Sequence, residues 1–182
     1  MRNLNNFRLL QINIDIDCFK SEIKNNQSLW DSNVLRQTTL NTQKMTKAIP
    51  LFVAKPPFYF FLKQGFKSSA SRYFPNTVKW LLDFAKKQNG KLSKAAIVLL
   101  KPNGQVLRHI DHHSFYKTRD RYHLGLQTNP NCLLKCGDEE ISIKEGELWA
   151  FNNKEYHEAF NNSKADRIHI IFDIYKPQEL FW

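Results

Sequence analysis

Between residues 95 and 175 the chain is built from short apolar or alternating runs separated by turn residues, with no helical period among them. Runs at 95–100, 105–111, 121–127, 132–136, 140–143, 147–151, 156–160 and 167–175 each read as a strand. Pro102-Asn103-Gly104 supplies the turn between the first two. Strands so closely spaced, without crossover helices, predict a β-sandwich or jelly-roll barrel.

The first half has a different texture. Residues 7–14 are strand-like, 15–26 have the period and N-terminal acid of a short helix, and 48–53 form another strand-like run. Pro56-Pro57 breaks any regular element. The clearest helix is 75–88: Pro75 or Asn76 starts it, Val78, Leu81, Leu82 and Ala85 give an apolar face, and Asn89-Gly90 stops it. At 182 residues and 42% apolar content, one domain is expected. In that reading residues 1–94 buttress a β core at 95–175.

No apolar run approaches the roughly 18 residues of a membrane span, and Arg2, Arg8, Asp15 and Asp17 interrupt any signal-peptide core, so a cytoplasmic protein is expected. Cys18, Cys132 and Cys136 are an odd number, which disfavours a disulfide framework. Cys132 and Cys136 could be half a zinc site, but their spacing suits one face of a buried strand.

The net charge of +10 is lopsided, with 16 Lys/Arg against 5 Asp/Glu in residues 1–94 and 11 against 12 thereafter. From Arg36 to Trp80 basic residues alternate with aromatics such as Phe58, Tyr59, Phe60 and Phe61. Such a mixture binds nucleic acid through phosphate attraction and base stacking, or is a solvated basic surface over an aromatic core.

Within the β-rich half, His109-Ile110-Asp111 is followed after 45 residues by His157, and ten residues later by Arg167. On a strand, residues two apart point the same way, so His109 and Asp111 can grip one metal together. With His157 they make the two-His, one-carboxylate set of non-haem Fe(II) oxygenases. Singly, His109 also reads as a surface histidine, Asp111 as a turn former and His157 as a satisfied core residue. His112 and His113 are competing ligands, read as loop residues near the pocket mouth. Arg121 and His123 share a strand face, as do Arg167 and His169. Inward arginines in a small barrel are costly unless an anion pairs with them. A dicarboxylate would satisfy both; ion pairs with Asp166, Asp173 or Glu158 are the alternative.

These residues, with Leu100–Gly104, Arg121–Leu126, Gly146–Asn153 and His157–Asn161 around them, resemble the aspartyl/asparaginyl β-hydroxylase family of 2-oxoglutarate-dependent dioxygenases. The resemblance spans residues 95–175. It implies that His109 and His157 ligate iron, that Arg167 binds the far carboxylate of 2-oxoglutarate, and that Arg121 and His123 contact its other end. Animal members lack the acidic ligand, whereas Asp111 is present here, as in bacterial relatives that hydroxylate free amino acids. The family's acidic pair before the second histidine appears as Asn152-Asn153, and the position near Val98, where animal members offer a hydroxyl, is aliphatic.

The expected protein is therefore mainly β with flanking helices, a double-stranded β-helix (jelly-roll, cupin-like) barrel. It would use Fe(II), 2-oxoglutarate and O2 to hydroxylate an amino-acid or peptidyl Asp/Asn C–H bond, releasing succinate and CO2. The basic segment favours a carboxylate-bearing substrate. A cupin-like metal-binding module without turnover and a basic nucleic-acid-binding protein are the alternatives.

Overall fold

The computed structural model describes residues 4–32, 43–54, 63–111, 114–176 and 180–182. Among the described residues, eleven strands and two α-helices follow the order β1 (Phe7–Gln11), α1 (Asp17–Asn25), β2 (Thr46–Val53), β3 (Phe66–Lys67), α2 (Pro75–Lys87), β4 (Lys91–Leu100), β5 (Gly104–His109), β6 (Arg119–Gln127), β7 (Cys132–Cys136), β8 (Glu139–Ile141), β9 (Leu148–Phe151), β10 (His157–Asn161) and β11 (Arg167–Tyr175). A seven-stranded sheet runs β1-β9-β6-β11-β4-β2-β3, and a four-stranded sheet runs β5-β10-β7-β8. Each of these strand neighbours pairs antiparallel. This is the mainly β arrangement that the strand spacing predicts, and its two sheets fit the double-stranded β-helix that the family resemblance implies.

Side-chain alternation along β11 shows why the large sheet has two different faces. Ile168, Ile170, Phe172 and Ile174 belong to the apolar core shared with the helices, whereas Arg167, Ile171 and Asp173 line a cavity on the opposite side. On the helical side Phe172 stacks on Tyr122 with ring centroids 5.1 Å apart and meets Trp80 and Phe84 edge-on at 5.8 and 5.7 Å. Fully burying each such ring contributes about 2 kcal/mol. The second apolar cluster, including Leu100, Leu134, Phe151 and Ala159, lies between the sheets, where these four residues line part of a cavity.

Helix α1 is tied to the start of α2 by a charge. The buried Glu22 carboxylate accepts from the Asn76 and Thr77 backbone N–H groups and from the Thr77 hydroxyl, at 2.6, 3.1 and 2.6 Å. An acid there satisfies donors that a helix start leaves open. The first half also lends β1, β2 and β3 to the large sheet: β1 pairs with β9, and β2 with β4.

All eight strands expected after residue 95 are present, with shifted ends. β4 begins at Lys91 and β6 at Arg119, while β5 stops at His109 and leaves Asp111 beyond the strand. The Asn103 turn has φ 54° and Gly146 φ 73°, a left-handed backbone that asparagine and glycine tolerate best. Cys132 and Cys136 are buried on one face of β7 and Cys18 is exposed; all three are free thiols. Phe52 and Phe74 of the basic, aromatic segment are core residues, whereas Phe66 and Tyr73 are exposed. Arg36, Lys55, the Pro56-Pro57 break, Phe58 to Phe61, His112 and His113 lie outside the described residues. Among the described residues, no helix is long and apolar enough to cross a membrane.

Candidate active site

Between the sheets lies an open cavity of about 390 Å³. The small sheet brings two histidines to it. His157 on β10 is the registered partner of His109 on β5, and their ring centroids are 4.3 Å apart. The Nδ1 of His109 lies 2.7 Å from the Leu107 carbonyl, and that of His157 lies 2.9 Å from the Glu155 carbonyl. A carbonyl oxygen only accepts, so each Nδ1 carries the proton and each Nε2 offers a lone pair. This is the tautomer that a metal-binding histidine needs. Burial pushes the His157 pKa down to about 4, which keeps its ring neutral at ordinary pH.

Asp111 completes the group although it lies beyond β5. Its N–H donates to the Asn153 carbonyl at 3.3 Å, and its Oδ2 accepts from Asn153 Nδ2 at 3.0 Å. Arg121 Nη1 reaches the same Oδ2 at 2.5 Å. Burial raises the Asp111 pKa, but Arg121, the Asn153 hydrogen bond and the two imidazoles outweigh it and hold the carboxyl below its usual range. One donor atom each from His109, Asp111 and His157 lie within 4.8 Å of one another. Such a trio shares a centre under about 3 Å from each atom, close to the roughly 2 Å of metal–ligand bonds. Two imidazoles and a carboxylate suit a divalent first-row metal.

Arg121 joins this group to the large sheet. Its Nε and Nη2 donate to Asp173 Oδ1 and Oδ2 at 2.8 and 3.2 Å, a bidentate pair across the β6–β11 register. Burial alone would lower the guanidinium pKa; Asp111 and Asp173 reverse this and raise it well above the ordinary value. Arg121 thus meets two counter-charges inside the chain, and Asp173 is one of the partners the sequence offers.

Arg167 has a different environment. It is buried at the far end of β11, where its Nη2 and Nε lie 2.8 and 3.3 Å from the two ring nitrogens of His169. Arginine has only donors, so His169 must accept through an unprotonated nitrogen. Burial, then the charges of Arg167 and His123, hold the His169 pKa well below its usual range. Among the described residues Arg167 has no acidic partner, and burial pulls its own pKa down to about 10. His123 is buried beside this pair, its Nδ1 3.5 Å from that of His169.

Tyr116 and Lys94 are part of the site without having been singled out by sequence, and Asn153, noted there only as standing in place of a family acid, has a supporting role. Asn153 supports Asp111, while Tyr116 and Lys94 line the cavity. Parity along β4, whose Lys94, Ala96 and Val98 alternate toward the cavity, is the signal that identifies Lys94.

The profile of the aspartyl/asparaginyl β-hydroxylase family matches residues 13–177. A comparison with curated proteins returns no match. Among solved structures, a prolyl hydroxylase from Trichoplax adhaerens, determined with a hypoxia-inducible-factor degradation-domain peptide, aligns with TM-score 0.56 at 15% identity over 95% of this chain and 84% of that one. A Pseudomonas putida prolyl-4-hydroxylase gives 0.54 at 11% identity over 94% and 92%. An oxidoreductase of the 2OG-Fe(II) oxygenase family from Burkholderia pseudomallei gives 0.54 at 9% identity, covering 71% of this chain and 66% of that one, just under two thirds of its length. The structural likenesses bear on fold, and the sequence profile carries the family assignment: this chain belongs to the aspartyl/asparaginyl β-hydroxylase family.

Proposed function

We propose that the protein is an Fe(II)- and 2-oxoglutarate-dependent dioxygenase that hydroxylates a C–H bond of an amino acid or of a peptidyl residue such as Asp or Asn. The observation that carries this reading is the buried Arg167 guanidinium, which has no carboxylate partner among the described residues and lines the same cavity as His109 and His157. A buried charge of this kind is costly until an anion reaches it.

In this reading His109 Nε2, His157 Nε2 and the Asp111 carboxylate hold the metal. Both hydrogen bonds to Asp111 fall on Oδ2, which leaves Oδ1 for coordination. Arg167 takes the distal carboxylate of 2-oxoglutarate as a two-pronged donor, and the neutral His169 fixes the guanidinium in place. Arg121 and His123, which also line the cavity, face the other end of the co-substrate. Iron bound at the triad would supply O2 activation, in which one oxygen atom enters succinate as CO2 leaves and the other becomes the new hydroxyl group.

Within that scheme the chain's own groups act by holding geometry and charge. The Nδ1–H donations to Leu107 and Glu155 carbonyls keep both imidazoles oriented, and Arg121 keeps Asp111 ionised. The test is succinate formation from 2-oxoglutarate by purified protein with Fe(II). Turnover by the parent and its loss in His157→Ala are expected; unchanged turnover in the variant would refute the assignment.

A further inference from the structure

Arg167 and Lys94 mark opposite ends of the cavity. Arg167 is registered against Leu100 at one end of β4, and Lys94 lies six residues away against Asp173. At about 3.3 Å per residue the two backbones are about 20 Å apart. The two cations therefore enter the cavity from opposite ends of β4.

Lys94 is held in an unusual way for a cavity-lining lysine. Its Nζ sits 4.2 Å from the centroid of Phe115 and 5.0 Å from that of Tyr116, and it donates to the Tyr116 hydroxyl at 3.4 Å. The rings are fixed: they meet edge-on at 5.1 Å, and Arg119, anchored to Ser93 Oγ and the Phe115 carbonyl, lies 3.8 Å over Phe115. Among the described residues no carboxylate forms an ion pair with Lys94, and its registered neighbour Asp173 is engaged in a bidentate pair with Arg121. An ammonium has three donors, and the Tyr116 hydroxyl takes one of them. Asp111 and Asp173 flank Arg121, whereas Lys94 forms no ion pair with an acid among the described residues.

Its position suits a substrate subsite. Lys94, Asp173 and Arg121 are successive register partners on β4, β11 and β6, which places Lys94 about 10 Å from the strand whose arginine holds Asp111. That separation is the reach of one small molecule. The cavity volume of about 390 Å³ lies at the small end for ligand sites.

We propose that Lys94, braced by Phe115 and Tyr116, is the specificity residue that takes a carboxylate of the substrate being hydroxylated and so presents its adjacent carbons to the triad. The proposal rests on the oxygenase reading. The carboxylate is either the α-carboxylate of a free amino acid or the side chain of a peptidyl acid, and these share one chemistry.

The experiment is anaerobic calorimetric titration of the full chain loaded with Mn(II) and 2-oxoglutarate. The probes are free L-amino acids, the matching α-carboxamides, and end-capped tripeptides carrying Asp, Glu, Asn or Gln at the centre. Wild type is expected to bind at least one acid tenfold or more tightly than its amide, the size of a charge-assisted contact. Preference for free acids identifies the α-carboxylate; preference for Asp or Glu tripeptides identifies the side chain. Lys94→Met should bring the acid-to-amide ratio near one and Lys94→Arg should retain most of it. Lys94→Gln, checked for folding by circular dichroism, is the second uncharged variant. A ratio near one in wild type, or a ratio unchanged in both uncharged variants, overturns the proposal. The oxygenase reading fails separately, in a wild-type titration with Mn(II) and 2-oxoglutarate that shows no binding.

Discussion

Replacing Arg121 by Met removes one side chain and strands two acids. Asp173 and Asp111 have side chains only 4% and 12% exposed, and both lean on this guanidinium at 2.8 and 2.5 Å. Removing one partner of a buried pair costs about 3–5 kcal/mol, because the surviving charge is left uncompensated. For a chain of this size that corresponds to a fall in melting temperature of about 10 °C. The loss should depend on pH in a defined direction. In the parent, Asp111 has a depressed folded pKa, so its contribution is fully present above the unfolded value near 4 and disappears as pH falls through the folded value. Without Arg121 the chief opposing influence to burial is gone, and the contribution disappears at higher pH. Denaturant titrations of metal-free Arg121→Met and parent protein across pH 4 to 8 measure both effects. Added Mn(II) should recover part of the deficit, because a cation at the triad supplies Asp111 with a counter-charge. A metal-free variant within 1 kcal/mol of the parent at pH 7 would refute the claim that Arg121 compensates these carboxylates.

Arg167→Met should behave oppositely. Its guanidinium has no acidic partner to strand, so stability in the absence of ligand should hold or rise, while 2-oxoglutarate affinity falls about 30-fold or more, measured by calorimetry with Mn(II). Asn153→Ala removes the amide that orients Asp111, and metal affinity, followed by Mn(II) electron paramagnetic resonance, should drop about 10- to 100-fold. His157 is buried with a pKa of about 4, so between that value and its unfolded value near 6.5 the unfolded chain binds the extra proton and stability rises with pH. His157→Gln in the metal-free protein should flatten the stability curve in that window, by about 3 kcal/mol from end to end at most. An unchanged slope would show that another group sets it.

The strands after residue 95 were legible because β-branched runs and turn residues repeat there without a helical period, and Pro75 with Asn89-Gly90 bracketed the longer helix. The ends were less legible where remote partners pay for polar burial. Arg119 and Asp120 read as loop, yet both are buried in β6 because Ser93 and the Phe115 carbonyl take the arginine while the Phe181 N–H and Lys176 take the acid. Asp111 was identified as a ligand from strand alternation, but β5 ends at His109 and the aspartate is positioned instead by Asn153 and Arg121. The face pairing of Arg167 with His169 was visible as a two-residue spacing. The contrast between a compensated Arg121 and an uncompensated Arg167 needed three dimensions, since Asp173 reaches Arg121 only through the β6–β11 register.

An anaerobic crystal structure with Fe(II) and 2-oxoglutarate tests the central claim most directly. The account predicts one metal ion bonded at about 2.0–2.2 Å to His109, Asp111 and His157, with the distal carboxylate of the co-substrate on Arg167. Metal density away from this trio, or a dicarboxylate that avoids Arg167, would contradict it.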